Sequence, residues 1–326
     1  MTYLVIGAGG VGGCIGGYLA DAGFDVTLIA RGRHLEAIHS RGLRLYNTRR
    51  GDELCVHPKA CTADEFTGRA DVIFVCVKGY SIDEVVPLID RAADAGSVVI
   101  PVLNIVGTGE RLAPRLPGRL VLDGCIYIGA YISGPGEVTQ TGDLFRIVYG
   151  QRDTDEPDGR LNKIAGELRD ASIDVVVSDD IRRDAFRKFM FVSPLAAAGA
   201  YYDMTAGELA APGKGHDLFI ELIRELQAIA DKRGYRFPDD MVENSLRRLD
   251  ALSPDATASM QKDLKKGGSS EIDGLIFEPA RIAHELGVPA PAYEQLSRFL
   301  KKSWQKTLAG CAANSRAGFG ILPVVP

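Results

Sequence analysis

No stretch of the 326 residues reaches the ~18 consecutive apolar residues that a membrane-spanning helix requires, so no span is expected. No C-x-x-C pair occurs. The six cysteines (Cys14, Cys55, Cys61, Cys76, Cys125, Cys311) are scattered, which argues against a zinc site or disulfide frame and for reduced thiols in the cytoplasm. None of the five histidines has a partner at metal-ligand spacing, so no metal is expected, and no Ser/His/Asp hydrolase elbow is present. Positive charge is not in excess: the formal net charge is -5 with acids and bases interspersed, which gives no reason to expect nucleic acid. Neither a basic start nor a small-residue cleavage site precedes the first apolar run, so no signal peptide is expected. Internal repeats and low-complexity segments are also missing.

What is present is an ordinary globular composition, 46% hydrophobic and 25% charged, of a length suited to about two domains. Val/Ile-rich runs at Tyr3–Ile6, Asp25–Ile29, Asp71–Val77 and Ser97–Leu103 read as buried parallel strands. Helical stretches lie between them, around Val11–Ala22, Leu35–Arg41 and Ile82–Ala93. This alternation predicts an α/β fold with a Rossmann-type doubly wound sheet. From Leu120 to Gly150, short strands with turn dipeptides predict an antiparallel extension, followed by a last helix (Leu161–Asp170) and strand (Ile173–Val177). After Ser178 the strand signal stops. Phe219, Leu222, Ile223, Leu226, Ile229 and Ala230 form one helical stripe, and Ile272, Leu275, Ile276, Ala280, Ala283 and Leu286 another. The division is therefore a dinucleotide-binding domain over 1–178 and an all-helical domain over 179–326, with Gly318–Pro326 a loop or frayed end.

Gly7-Ala8-Gly9-Gly10-Val11-Gly12 ends the first strand and opens a helix. Its G-x-G-x-x-G spacing suits a dinucleotide: Gly7 for the turn, Gly9 for backbone approach to a pyrophosphate, Gly12 for helix–strand packing. An NAD site would place an acid at the end of the second strand; here that strand ends in Arg31-Gly32-Arg33, and Arg31 suits a 2′-phosphate. NADP(H) is the expected cofactor, against the plainer reading of a solvent-exposed arginine pair. Lys78 and Asn104 follow the third and fourth strands, at the sheet edge where such folds bind ligands, or else are a surface lysine and a turn asparagine. Lys188 stands where a charged helix end enters an apolar run; partial desolvation there would lower its pKa toward proton transfer, unless it merely snorkels. Ser270 and Asp273 have capping-box spacing, which puts Glu271 at the first helical position.

Taken together, these segments resemble the ketopantoate reductase (2-dehydropantoate 2-reductase) family along nearly the whole chain. The likeness rests on GAGGVGG, LIARG, VCVKGY, LNIVGTGERL, FRKF, SMQKDLKKGGSSEID and ELGVPAP, in that order. It implies a Rossmann domain, a helical substrate and dimerisation domain, and a cleft between them. It further implies hydride delivery from NADPH to a 2-keto acid. Lys188 then corresponds to the catalytic lysine, Glu271 to the glutamate that binds the substrate hydroxyl and orients it, and Ser259 to the carboxylate-contacting serine. Asn104 corresponds to the asparagine near nicotinamide and substrate, Lys78 to a cleft lysine, and Arg31 to the 2′-phosphate reader.

Departures from the family pattern bear on the substrate. Val192 and Ala196 replace asparagines, Asn104 is followed by Ile105 rather than glycine, and Pro279 falls in the helix after Glu271, where a kink is expected. Three readings follow: reduction of 2-dehydropantoate to pantoate for pantothenate biosynthesis, reduction of a bulkier or more apolar 2-keto acid, or non-catalytic NADP(H) binding. The apolar surface of the helical domain is compatible with a homodimer.

Overall fold

The computed structural model describes residues 1–237 and 240–301; Cys311 and Gly318–Pro326 lie outside the described residues. The chain divides into two compact units, Met1–Ala185 and Phe186–Pro326. The boundary expected after residue 178 coincides with the end of the last strand, whereas this division falls inside the helix that follows.

The first unit runs β1 (Thr2–Ile6), α1 (Gly10–Asp21), β2 (Asp25–Ile29), α2 (Gly32–Arg41), β3 (Leu43–Asn47), β4 (Glu53–Val56), β5 (Lys59–Cys61) and β6 (Val72–Val75). It continues through α3 (Ile82–Ala92), β7 (Val98–Pro101), α4 (Thr108–Leu112), β8 (Leu120–Val121), β9 (Asp123–Gly134), β10 (Glu137–Gly150), α5 (Arg160–Asp170) and β11 (Asp174–Val177), and then enters α6 (Ile181–Tyr202). Six strands make a parallel sheet in the order β5-β2-β1-β6-β7-β8. The two-residue period of β1 sends Tyr3 and Val5 to one face and Leu4 and Ile6 to the other. The first pair packs with Ile15 and Leu19 of α1, Leu35 and Ile38 of α2 and Ile164 of α5, the second with Ile82, Val86 and Ile89 of α3. Both faces of the sheet are therefore covered, which is why its strands are continuously apolar.

The region from Leu120 to Gly150 holds the antiparallel extension expected, as one long hairpin rather than short strands, preceded by a short parallel strand. Leu120–Val121 joins the parallel sheet as its edge, beside β7. In a second sheet, β9 and β10 form a long antiparallel hairpin. The other side of β10 pairs in parallel with β3 at Glu137–Gln140 and with β11 at Arg146–Tyr149, while β4 is antiparallel to β3. Strands β3, β4 and β5 add to those read from sequence.

The second unit contains the rest of α6, then α7 (Ala206–Ala210), α8 (Lys214–Lys232), α9 (Met241–Asp250), α10 (Ser259–Lys265), a single π-helical turn at Asp273–Phe277, α11 (Glu278–Leu286) and α12, helical over 291–301. Among the described residues after Ala185 there is no strand. The stripe on α8 from Phe219 to Ala230 is fully buried, as amphipathic packing demands. The stripe from Ile272 to Leu286 is not one regular α-helix: the π turn shifts it by a residue and runs directly into α11, so Pro279 sits within continuous helical backbone. No helix among the described residues is long and apolar enough to cross a membrane.

Candidate active site

The glycine loop joins the end of β1 to α1. Gly7 has φ +99°, and the Gly7 and Ala8 N–H groups both donate to the Ile29 carbonyl, at 3.2 and 3.0 Å, tying the loop to the end of β2. A Cβ at Gly12 would overlap the Gly7 carbonyl oxygen, and one at Gly10 would stand 2.5 Å from the Ala130 carbonyl of β9, so backbone passes close at both positions. A Cβ at Gly9 would meet nothing within 4 Å. Gly9 caps α1 without a side-chain hydrogen bond, and the first turn carries no acid. The first-turn N–H groups, with the positive end of the helix dipole, thus face an open side of the loop, an arrangement that fits a dinucleotide phosphate. Val11 is half-buried in that turn.

The other candidates of the first unit follow neighbouring strands of the sheet. Arg31 is exposed after β2 and is the N-cap of α2. Lys78, half-buried, follows β6 and precedes a short 3-10 turn whose Ser81 N–H donates to its carbonyl. Asn104, also half-buried, follows β7. The glycine loop, Arg31, Lys78 and Asn104 therefore share the carboxyl edge of β1, β2, β6 and β7. The strand order turns there: β1 continues to β2 on one side and to β6 on the other. Sequence reasoning missed His34, whose Nδ1 accepts the Gly136 N–H at 3.0 Å and whose pKa burial holds below the usual histidine value. Gly10 belongs to the loop read from sequence, but its close approach to β9 lies outside the G-x-G-x-x-G pattern.

Lys188, Glu271 and Ser259 belong to the second unit. Lys188 on α6 is 6% exposed and Glu271 is 5% exposed, while Ser259 is exposed in the first turn of α10. α6 and α10 come close at Gly199, where a Cβ would stand 2.6 Å from Gln261 Oε1; that oxygen accepts the Ala258 N–H at 2.8 Å. Val192 is half-buried, whereas Ala196 is 1% exposed inside α6. The expected capping box is absent: Asp273 opens the π turn and takes a forked pair from Arg281, at 3.0 and 2.8 Å. Ser270 Oγ is buried beside Glu271 with no hydrogen-bond partner, an orphan that a polar ligand atom would satisfy. Among the described residues no three His, Cys, Asp or Glu side chains cluster to hold a metal.

Two family models cover most of the chain: ketopantoate reductase PanE/ApbA over residues 3–154 and its C-terminal part over residues 180–305. The chain belongs to the ketopantoate reductase family. It is an oxidoreductase acting on a CH–OH group, of the type that reduces a keto acid. Among its relatives is a 2-dehydropantoate 2-reductase of Mesorhizobium japonicum, 28% identical over 93% of this chain and 97% of that one. An uncharacterized oxidoreductase of Bacillus subtilis, YkpB, is 28% identical over 90% and 96%. The crystal structure of a PanE/ApbA family ketopantoate reductase from Ralstonia eutropha superimposes with a TM-score of 0.82 at 28% identity, covering 92% of this chain and 97% of that one.

Proposed function

We propose that this ketopantoate reductase family member is an NADPH-dependent enzyme of the cytoplasm that reduces 2-dehydropantoate to pantoate, in pantothenate biosynthesis. What carries the reading is the burial of opposite charges in the helical unit. Three charged side chains there are buried among the described residues: Lys188, Glu225 and Glu271. Glu225 is engaged by the backbone N–H groups of Ala292 and Tyr293 at the start of α12. Lys188 and Glu271 stand at the positions where the family pattern has its catalytic lysine and glutamate, and burying such groups is costly enough to need a reason.

NADPH would be held along the glycine loop Gly7–Gly12 with Arg31 at its 2′-phosphate, and would supply the hydride for the ketone carbon. Lys188, as an ammonium, hydrogen-bonds the carbonyl oxygen, stabilises the charge that develops on it and gives it the proton. Glu271 accepts a hydrogen bond from the substrate hydroxyl and orients Lys188. Ser259 donates to the substrate carboxylate, and Asn104 and Lys78 hold the nicotinamide side and the substrate.

A second reading, a bulkier or more apolar 2-keto acid, is favoured by half-buried Val192, one helical turn beyond Lys188. NADPH oxidation with 2-dehydropantoate beside branched and aromatic 2-keto acids separates the two. Selective turnover of 2-dehydropantoate is the expected result; turnover of another acid alone would replace it with the second reading. Binding of NADPH without turnover of any acid would leave a non-catalytic dinucleotide-binding protein. In the same assay Lys188→Ala abolishes turnover and spares NADPH binding, and Arg31→Ala weakens NADPH binding about ten-fold more than NADH binding. The homodimer compatible with the sequence would sediment at about 70 kDa, twice the chain's 35.1 kDa.

A further inference from the structure

At the start of α11 the helical backbone has lost a donor. In a regular helix the N–H of residue 279 would bond to the Leu275 carbonyl, but residue 279 is proline. The chain widens into the π turn instead: the Glu278 N–H reaches the Asp273 carbonyl five residues back, while the Leu275 N–H bonds the Glu271 carbonyl at 2.9 Å. The Leu275 carbonyl is buried and needs a partner from elsewhere.

That partner comes from α6. Ser193 Oγ stands 2.6 Å from the Leu275 oxygen and 2.6 Å from the Tyr293 hydroxyl of α12. A carbonyl only accepts, so the single Ser193 proton goes to Leu275 and the Tyr293 hydroxyl donates to Ser193. All three residues are at most 2% exposed, so no solvent can replace either bond. Ser193 lies five residues after Lys188 on one helix, and Leu275 is hydrogen-bonded to Glu271.

We propose that Ser193, seconded by Tyr293, is a positioning residue of the catalytic site: by donating where Pro279 cannot, it latches the π turn to α6 and fixes Glu271 relative to Lys188. The proposal rests on the reading that Lys188 and Glu271 do the chemistry. Turnover of the keto acid and NADPH affinity are measured for Ser193→Thr and Ser193→Val, side chains of the same volume that differ in the hydroxyl. Ser193→Thr is expected to turn over at least about ten-fold faster than Ser193→Val, with the NADPH dissociation constants within about two-fold, because displaced catalytic groups cost rate rather than cofactor binding. Equal kcat values in the two variants would overturn the latch. Tyr293→Phe, which removes one hydroxyl and keeps the ring, is expected to lower kcat about three-fold with NADPH affinity retained; unchanged kcat would remove Tyr293 from it. Lys188→Ala and Glu271→Gln are run in parallel: near-normal turnover in both overturns the underlying reading, whereas their inactivity beside equal Thr and Val variants overturns the latch alone.

Discussion

Two glycines of the same loop, three residues apart, have opposite requirements. Gly12 has no room for a methyl group, since the Gly7 carbonyl occupies the place a Cβ would take, whereas Gly9 faces open space with φ -74°, a conformation alanine adopts freely. Gly12→Ala is therefore expected to lower folding stability by about 1–3 kcal/mol through overpacking, read from denaturant unfolding. Gly9→Ala is expected to leave the unfolding midpoint unchanged and to weaken dinucleotide binding about ten-fold, read by titration. The motif spacing makes no such distinction, and it passes over Gly10, whose constraint comes from β9, more than a hundred residues along the chain. Local pattern reveals that a loop is tight, while only the tertiary neighbour reveals at which glycine.

At the scale of elements, Glu225 on α8 acts at a distance as the N-terminal cap of α12, accepting the Ala292 and Tyr293 N–H groups at 2.7 and 3.0 Å. Burial raises its carboxyl pKa above the usual value, against the lowering effect of those two bonds. Glu225→Ala leaves two buried N–H groups without an acceptor, and thermal unfolding is expected to show a loss of about 2–3 kcal/mol. The elements legible in the sequence were those whose surroundings are uniform. β1, β2, β6 and β7 are apolar on both faces, and α8 carries one unbroken stripe. β5 has three residues and β8 two, too few for a period to show. The π turn was illegible for another reason. Ser270 and Asp273 imitate a capping box, and a stripe at spacings of three and four fits an α-helix as well as a helix with one residue inserted. What decides is the Ser193 hydroxyl, which stands 82 residues from Leu275 in sequence. The family likeness singles out Lys188 and Glu271, but no sequence pattern announces Ser193 and Tyr293.

Across the whole molecule, stability toward acid rests on carboxylates tied to particular partners. The Arg160 side chain and then its backbone N–H bring Asp158 down to about 2, and the Thr2 backbone N–H holds Asp71 below its usual value. A carboxyl group whose pKa is lowered by folding contributes stability above its unfolded value, and that contribution disappears as the pH falls through the folded one. The midpoint of urea unfolding is therefore expected to hold from about pH 6 to 5 and to fall between about pH 4 and 2. Asp71→Asn is expected to flatten part of that decline. Asp158 is half-buried and held by a forked pair from Arg160, so Asp158→Asn is expected to flatten a further part of it.

The long strand β10 has a consequence for biosynthesis. It pairs with β3, whose Arg44 faces Glu137, and with β11, whose Val177 faces Tyr149. As the nascent chain leaves the ribosome, β3 and β4 emerge as a bare hairpin and wait through the synthesis of about eighty further residues before their partner exists, at roughly 5–20 residues per second. Through that interval of several seconds or more, the apolar underside formed by Leu43 and Leu45, which packs on Gly17 of α1, lacks most of the core it joins in the finished unit. The alternating charge on its outer side, Arg44 opposite Cys55 and flanked by Glu53, keeps the waiting edge polar. The unit closes only when β11 has been made, so chains that stall before residue 177 are the ones this architecture exposes to aggregation and to the cell's proteases.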